Sequence, residues 1–149
     1  MLNKDYHDIL SALVDSGADF LLVGAYALAS HGLVRATSDI DLWIRPTKEN
    51  ASAVLHALET FGAPMDQVSV EALTSEDQVL QIGVAPVRID ILTSISGVTF
   101  SDAWARRDTV ELEGLRIPVL SLADLQTNKR ATGRPQDLVD LQWIERQDG

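Results

Sequence analysis

The sequence predicts a single α/β domain of the α+β kind, with a mixed central sheet flanked by helices and a helical pair at the C-terminus. Short apolar runs typical of buried strands alternate with longer segments whose apolar residues recur at helical spacing. The 149 residues fit one domain, and no repeat or linker divides them. We therefore expect residues 1–149 to share one core.

The first half of the chain alternates helix and strand. Residues 6–14 place apolar side chains at helical spacing, and the apolar run 20–23 predicts a buried strand. Small residues over 25–30 predict a helix packed closely on that strand. Residues 38–44 predict a second strand, and the periodic segment 47–61 predicts a third helix.

The second half predicts two hairpins followed by two helices. Their strands are expected over residues 79–84, 87–92, 110–112 and 115–119. Ser121 with Asp124 three residues later resembles a capping box and predicts a helix through residue 131. Pro135 suits the first turn of the last helix. That helix is expected to turn Leu138, Leu141 and Ile144 toward the core.

Composition excludes several classes of protein. With 46% hydrophobic and 23% charged residues the chain is typical of a globular protein. It has no cysteine, which excludes disulfides, thiolate metal sites and cysteine nucleophiles. No apolar run is long enough to cross a bilayer and the N-terminus lacks the order of a signal peptide, so we expect a cytoplasmic protein. The net charge of -10 disfavours a dedicated duplex-binding module.

The Asp-Ile-Asp segment is the most informative motif. Side chains alternate along a strand, so Asp39 and Asp41 share one face while Ile40 points to the other. Two carboxylates about 7 Å apart repel each other unless a positive charge lies between them. A divalent cation such as Mg²⁺ meets that need. The alternative is an exposed strand face with two solvated aspartates.

Asp90 favours the metal interpretation. It interrupts an apolar segment that otherwise suits a core strand. If this strand lies beside the first, three carboxylates converge on one side of the sheet. Such a triad can hold two metal ions that activate a hydroxyl and stabilise a leaving pyrophosphate.

A glycine turn precedes the aspartate strand. Gly24 and Ala25 lie at the junction of a buried strand and a helix, where a glycine lets backbone N–H groups approach phosphate. By itself, such a glycine more often marks only a tight turn.

These segments resemble the nucleotidyltransferase superfamily typified by DNA polymerase beta, and most closely its bacterial toxin-type and abortive-infection members. The shared pattern is a Gly-Gly or Gly-Ser turn, a helix, an Asp-x-Asp strand and a third acidic residue on a later strand. Gly24, Asp39, Asp41 and Asp90 match it. The resemblance implies these three aspartates as metal ligands. Ala25 departs from the usual second Gly or Ser: it keeps its backbone N–H but lacks a hydroxyl that could contact phosphate.

The resemblance extends to the C-terminus, where a lysine is followed by an Arg-x-x-Asp helix. It implies Lys129 as a phosphate contact and Asp137 as a site residue. Arg134 could hold a triphosphate as a bidentate fork, although cations are also favoured near helix C-termini.

Three residues before or at the aspartate strand are further candidates. Arg35 could contact phosphate or neutralise the acidic pocket, and Ser38 could hydrogen-bond a phosphate oxygen. His31 could be a general base, but a histidine that closes a helix is more often structural.

The sequence thus predicts an enzyme that uses Mg²⁺ or Mn²⁺ to move an NMP group from an NTP to a hydroxyl of an RNA 3′ end, a protein or a small molecule. In the resembling toxin group tRNA or a protein is a typical target. The alternative is a catalytically weak nucleotide-binding or regulatory module with a cognate toxin or antitoxin partner. The sequence identifies neither the nucleobase nor the acceptor.

Overall fold

A computed structural model of the chain describes residues 2–34, 39–66, 68–84 and 86–148. In chain order the elements are α1 Lys4–Asp15, β1 Phe20–Val23, α2 Gly24–Ser30, β2 Asp39–Ile44, α3 Lys48–Phe61, α4 Val70–Thr74, β3 Val79–Val84, β4 Val87–Leu92, α5 Phe100–Ala105, β5 Asp108–Leu112, β6 Leu115–Val119, α6 Leu122–Thr132 and α7 Pro135–Asp148. None of the helices in these ranges is long and apolar enough to cross a membrane.

Six strands form one mixed sheet in the order β3-β4-β2-β1-β6-β5. β2 runs parallel to β4 and β1 parallel to β6, whereas the remaining neighbours are antiparallel. The predicted α/β fold class with a mixed sheet is confirmed. Because β1 and β2 lie at the centre, the end of β1 and the start of β2 meet in the middle of the sheet.

β2 shows the predicted alternation. Ile40, Leu42 and Ile44 are fully buried on one face of the sheet. Asp39 and Asp41 on the other face are only half-buried. Burial of one face in an apolar core therefore specifies the register that turns both carboxylates to the opposite face.

The helix boundaries follow ordinary capping chemistry. The Thr47 hydroxyl accepts a hydrogen bond from the backbone N–H of Asn50 at the start of α3, and Gly62 ends that helix in the left-handed conformation. The Ser121 hydroxyl accepts from the backbone N–H of Asp124, as the predicted cap of α6 requires. Both predicted boundaries are confirmed to within a residue or two.

Two short helices lie outside the sequence prediction. α4 has 5 residues and α5 has 6, which is too few to show an apolar period. α5 is held by aromatic packing instead: the Phe100 ring lies edge-on to Trp43 at 5.1 Å between centroids. The Arg45 guanidinium lies 4.8 Å from the centre of the same ring.

The inner face of α7 differs from the prediction. Ile144 is fully buried as expected, but Leu138 is 51% exposed. The buried positions beside it are Asp137 and Asp140, each 1% exposed. Both carboxylates face the buried Lys129 of α6, whose ammonium lies within ion-pair distance of each.

Candidate active site

The three predicted carboxylates meet on one face of the sheet. β2 and β4 pair in parallel register, so that Asp41 stands directly opposite Asp90 and Asp39 opposite Arg88. The expectation that the Asp90 strand lies beside the Asp-x-Asp strand is confirmed. The side chain of Asp90 is 9% exposed and that of Asp39 is 30% exposed, so the group opens to solvent at the Asp39 side.

Arg88 neutralises part of this charge. Its Nη2 donates to Oδ2 of Asp39 at 2.7 Å and to Oδ2 of Asp90 at 3.1 Å. Its Nε donates to Oδ1 of Asp90 at 3.1 Å. One guanidinium therefore bridges two of the three carboxylates. Its contact with Asp90 has the bidentate geometry that arginine favours with a carboxylate.

Asp41 retains a charge that its surroundings oppose. The pKa of Asp41 is raised from 3.8 to about 6, chiefly by burial and further by the charges of Asp90 and Asp39 and by hydrogen bonding with Asp90. The charge of Arg88 acts in the opposite direction but is the smallest effect. The site thus has more negative charge than Arg88 compensates.

The chemistry of these donors fits a hard divalent cation, since Mg²⁺ and Mn²⁺ prefer carboxylate oxygens and excess negative charge is present. The present arrangement is not a formed metal site. Within the described part of the chain, no group of three or more His, Asp or Glu side chains is positioned to hold a metal ion. Arg88 lies between Asp39 and Asp90 and forms ion pairs with both. Metal ligation by the three aspartates stays a prediction.

Gly24 is required where the chain passes Asp41. Its φ is +67°, a backbone conformation that residues other than glycine rarely adopt. A Cβ at this position would overlap the Asp41 carboxylate. The glycine at the start of α2 therefore lets the backbone approach a carboxylate. The half-buried Ala25 follows it, and contact of either residue with phosphate stays a prediction.

Lys129 is placed differently from what its predicted phosphate role suggests. It is 6% exposed, and its Nζ lies 3.1 Å from Oδ1 of Asp137 and 3.2 Å from Oδ2 of Asp140. The ammonium is thus directed at two buried carboxylates that join α6 to α7. A phosphate contact would require it to leave these partners, and the phosphate contact of Lys129 stays a prediction.

Asp137 is the centre of that buried cluster. Burial by itself would raise its pKa, but hydrogen bonds from Arg134, Thr132 and Lys129 together hold the pKa of Asp137 well below its usual range. The Thr132 hydroxyl donates to Oδ2 at 2.6 Å, and the backbone N–H of Arg134 donates to the same oxygen. Asp137 therefore ties the end of α6 to the start of α7.

Arg134 connects this cluster to the three carboxylates. Its Nε donates to Oδ2 of Asp137 at 2.7 Å while its side chain remains 72% exposed. Its charge is also close enough to Asp41 for the two to interact. The neighbouring Arg130 is directed elsewhere, to Glu145 at 3.5 Å. Arg134 thus has both an exposed guanidinium and an electrostatic interaction with Asp41.

Of the three remaining candidates, His31, Arg35 and Ser38, the structure describes only His31. The Nε2 of His31 lies 2.9 Å from the carbonyl oxygen of Leu120, which supports the structural interpretation of this histidine. Arg35 and Ser38 lie outside the described residues, so their predicted phosphate contacts stay predictions.

Two further residues belong to the site and were not predicted. Arg88 could have been found by strand alternation, because it precedes Asp90 by two positions and must share its face. Tyr6 could not, because it comes from α1. Its hydroxyl lies 3.2 Å from both the backbone N and the carbonyl oxygen of Arg88. Its ring packs edge-on against Tyr26 of α2, at 5.7 Å between centroids.

A mixed sheet with an Asp-x-Asp strand, a third strand aspartate and a preceding glycine turn is the architecture of a nucleotidyltransferase, and the chain is an enzyme of that class. It belongs to the aminoglycoside-2''-adenylyltransferase family, whose sequence model matches residues 5–143. No curated protein matches the chain in sequence.

Solved structures share the fold. A protein of Thermotoga maritima assigned as a nucleotidyltransferase superposes with a TM-score of 0.62 at 19% identity, over 98% of this chain and 96% of its own. ANT(2'')-Ia in complex with adenylyl-2''-tobramycin has a TM-score of 0.58 at 13% identity, over 97% and 87%. The lincosamide antibiotic adenylyltransferase LnuA, bound to lincomycin, has a TM-score of 0.57 at 15% identity, over 97% of both chains.

These comparisons confirm the predicted superfamily and the nucleotidyltransferase fold. The narrower resemblance to toxin-type and abortive-infection enzymes is not confirmed by them. At such identities the structural likeness concerns the fold alone, while membership of the family follows from the sequence match.

Proposed function

We propose that this protein transfers a nucleoside monophosphate from a nucleoside triphosphate to a hydroxyl group of a small molecule, with release of pyrophosphate. The observation that carries the proposal is the convergence of Asp39, Asp41 and Asp90 across β2 and β4, beside an exposed Arg134. In the reaction the acceptor oxygen forms a bond to the α-phosphorus as the bond from that phosphorus to pyrophosphate breaks.

The chain's own residues supply binding and proton transfer. Asp39, Asp41 and Asp90 would hold Mg²⁺ or Mn²⁺, which when bound supplies the positive charge that favours hydroxyl attack and departure of pyrophosphate. Asp90 accepts the proton of the acceptor hydroxyl. Arg134 donates to triphosphate oxygens from the side of Asp41. The Gly24 turn brings the backbone close to the carboxylate of Asp41.

The family favours ATP as the donor and a small cationic molecule as the acceptor. Its name denotes transfer of an adenylyl group to an aminoglycoside, and the related ANT(2'')-Ia was solved with adenylyl-2''-tobramycin. The net charge of -10 supports a cationic acceptor, because an acidic surface attracts cations and repels nucleic acid. Transfer to tRNA or to a protein is accordingly less favoured.

The reaction can be tested with ATP labelled at the α-phosphate, in the presence of Mg²⁺ or Mn²⁺. An aminoglycoside such as tobramycin, total tRNA and a protein mixture are supplied as separate acceptors. We expect label in the aminoglycoside and release of pyrophosphate. Absence of label from every acceptor, with the protein folded, would refute the proposal.

A matched pair of variants ties the reaction to the site. Asp39→Ala removes a predicted metal ligand and should lower transfer by about 100-fold or more, because charge stabilisation at the reacting phosphate is lost. Asp66→Ala removes an exposed carboxylate that belongs to none of the strands. It should retain full transfer.

A catalytically weak nucleotide-binding module, acting with a toxin or antitoxin partner, is the second candidate. The observation that favours it is Arg88, which holds Asp39 and Asp90 in ion pairs. Calorimetry separates the two functions: ATP binding without Mn²⁺-supported turnover would favour the module, and turnover that depends on Asp39 would favour the enzyme.

A further inference from the structure

The Arg88 guanidinium lies between carboxylates that come from two neighbouring strands. It is 2.7 Å from Asp39 on β2 and 3.1 Å from Asp90 on β4. These carboxylates are the same groups that the proposed function assigns to a divalent cation. Arg88 uses Oδ2 of Asp39 and both oxygens of Asp90, so a divalent cation that coordinates these oxygens competes with the guanidinium for them and is repelled by its charge.

The backbone and the side chain of Arg88 are held by different parts of the molecule. The Tyr6 hydroxyl contacts the backbone N–H and carbonyl of Arg88, and β4 is paired on both sides, with β2 and β3. The side chain, by contrast, is 32% exposed, and within the described part of the chain it donates hydrogen bonds to Asp39 and Asp90. The guanidinium can therefore turn toward solvent without disturbing the strand.

We propose that Arg88 is a resident counter-ion of the three carboxylates, which holds them together in the metal-free protein and competes with the divalent cation. The inference rests on the proposed function, because it takes these aspartates as the cation's ligands. Like charges on adjacent strands repel each other, and Arg88 relieves that repulsion until the cation replaces it. The affinity of the site for metal is consequently lower than three carboxylates alone would provide, and Arg88 determines by how much.

The test is a measurement of metal binding without nucleotide or turnover. Mn²⁺ is titrated into the wild-type protein and into Arg88→Gln, and free Mn²⁺ is measured by electron paramagnetic resonance. We expect Arg88→Gln to bind Mn²⁺ about tenfold more tightly, which is the scale of losing one charge-assisted hydrogen-bonded competitor. Arg88→Lys keeps the charge but cannot bridge two carboxylates through a planar fork, so its affinity should fall between the two.

Arg106→Gln is the matched control. Arg106 forms a comparable ion pair with Asp124, at 2.8 Å, which shares no residue with the three carboxylates. The substitution changes the net charge of the chain by the same amount. Its Mn²⁺ affinity should equal that of the wild type, which separates competition at the site from a general change in surface potential.

Thermal unfolding supplies a second readout. Without metal, Arg88→Gln should melt below the wild type, because its carboxylates repel one another. Saturating Mn²⁺ should raise its melting temperature by more than that of the wild type. Equal or weaker Mn²⁺ binding by Arg88→Gln would overturn the proposal, as would no binding by either protein at millimolar Mn²⁺. Should Arg88→Gln fail to fold, Arg88→Lys decides by the same criterion.

The outcome is distinguishable from failure of the proposed function. Tighter Mn²⁺ binding by Arg88→Gln, with no consumption of ATP by any variant, would support the counter-ion and refute the reaction. Consumption of ATP together with unchanged Mn²⁺ affinity in Arg88→Gln would support the reaction and refute the counter-ion.

Discussion

The carboxylate of Asp41 lies against the Cα of Gly24, at the point where β1 ends and α2 begins. Val23 pairs with Asp41 across the antiparallel strands, so the turn that follows must pass over the carboxylate. A hydrogen at Cα is the only substituent that fits there. The glycine turn and the Asp-x-Asp strand are therefore one structural unit.

Replacing Gly24 with alanine should damage both stability and activity. The new methyl group would overlap the Asp41 carboxylate and would also strain a backbone with φ of +67°. The matched control is Gly17→Ala, because Gly17 has a similar φ of +74° and open space around it. Gly17→Ala should lower the free energy of unfolding by about 1–2 kcal/mol through backbone strain alone.

We expect Gly24→Ala to lose clearly more than this in urea denaturation, and transfer to fall by about tenfold or more as Asp41 is displaced. Equal losses of stability in the two variants, with full transfer in both, would show that the contact between Gly24 and Asp41 has no consequence.

Asp41 should make the folded protein less stable as pH rises. Its pKa is raised from 3.8 to about 6, so between these values the folded protein binds more protons than the unfolded chain. The free energy of unfolding therefore falls as pH rises through this window and levels off once the pH is well above the folded-state pKa of about 6. Asp41→Asn removes the charge and with it this loss.

We expect Asp41→Asn to be more stable than the wild type at neutral pH, by about 1–2 kcal/mol after allowance for solvent screening. Near pH 4 the two should differ little. Chemical denaturation across this range measures the effect, with the exposed Asp66→Asn as a control that should follow the wild type. A less stable Asp41→Asn at neutral pH would contradict the cause given for the raised pKa.

Lys129 should contribute to stability far more than its neighbour Arg130. Lys129→Met leaves Asp137 and Asp140 buried without their ammonium partner, which typically lowers the free energy of unfolding by about 3–5 kcal/mol. Arg130→Met breaks only an exposed pair with Glu145, which contributes less than about 1 kcal/mol.

Urea denaturation of the two variants checks this difference. Similar stabilities for Lys129→Met and Arg130→Met would exclude the buried cluster as the connection between α6 and α7. A folded Lys129→Met that binds ATP poorly would instead restore the phosphate contact that the sequence predicts.

Arg134 should act on ATP binding more than on the chemical step. Its exposed guanidinium is available to a triphosphate near Asp41, while Lys129 and Thr132 continue to hold Asp137 in its absence. Arg134→Gln should raise KM for ATP by about tenfold with little change in kcat, as expected for an interaction present equally in the ground and transition states.

Arg130→Gln is the control for this variant, since it removes one positive charge from the same helical pair. Its KM for ATP, measured by steady-state kinetics, should be close to that of the wild type. An unchanged KM in Arg134→Gln would assign the arginine to the α6–α7 cluster alone.

The strands that carry the site were predictable because their chemistry is local. Alternation put Asp39 and Asp41 on one face, and an apolar run interrupted by a charge singled out Asp90. The short helices α4 and α5 were not predictable, because five or six residues show no period and α5 depends on packing against Trp43. Leu138 was misplaced for a related reason: helical spacing shows which side chains share a face, but not what that face contacts.

The sequence alone predicted the order of helices and strands and the shared face of Asp39 and Asp41, since side-chain alternation and helical spacing are local properties of the chain. Its resemblance to the nucleotidyltransferase superfamily implied the fold and the third carboxylate, Asp90. Only the tertiary structure decided which basic side chain pairs with each carboxylate. Arg88 pairs with Asp39 and Asp90, and Lys129 pairs with Asp137 and Asp140. Ion pairing of this kind depends on strand register and helix docking between segments far apart in the chain, and residue type does not encode it.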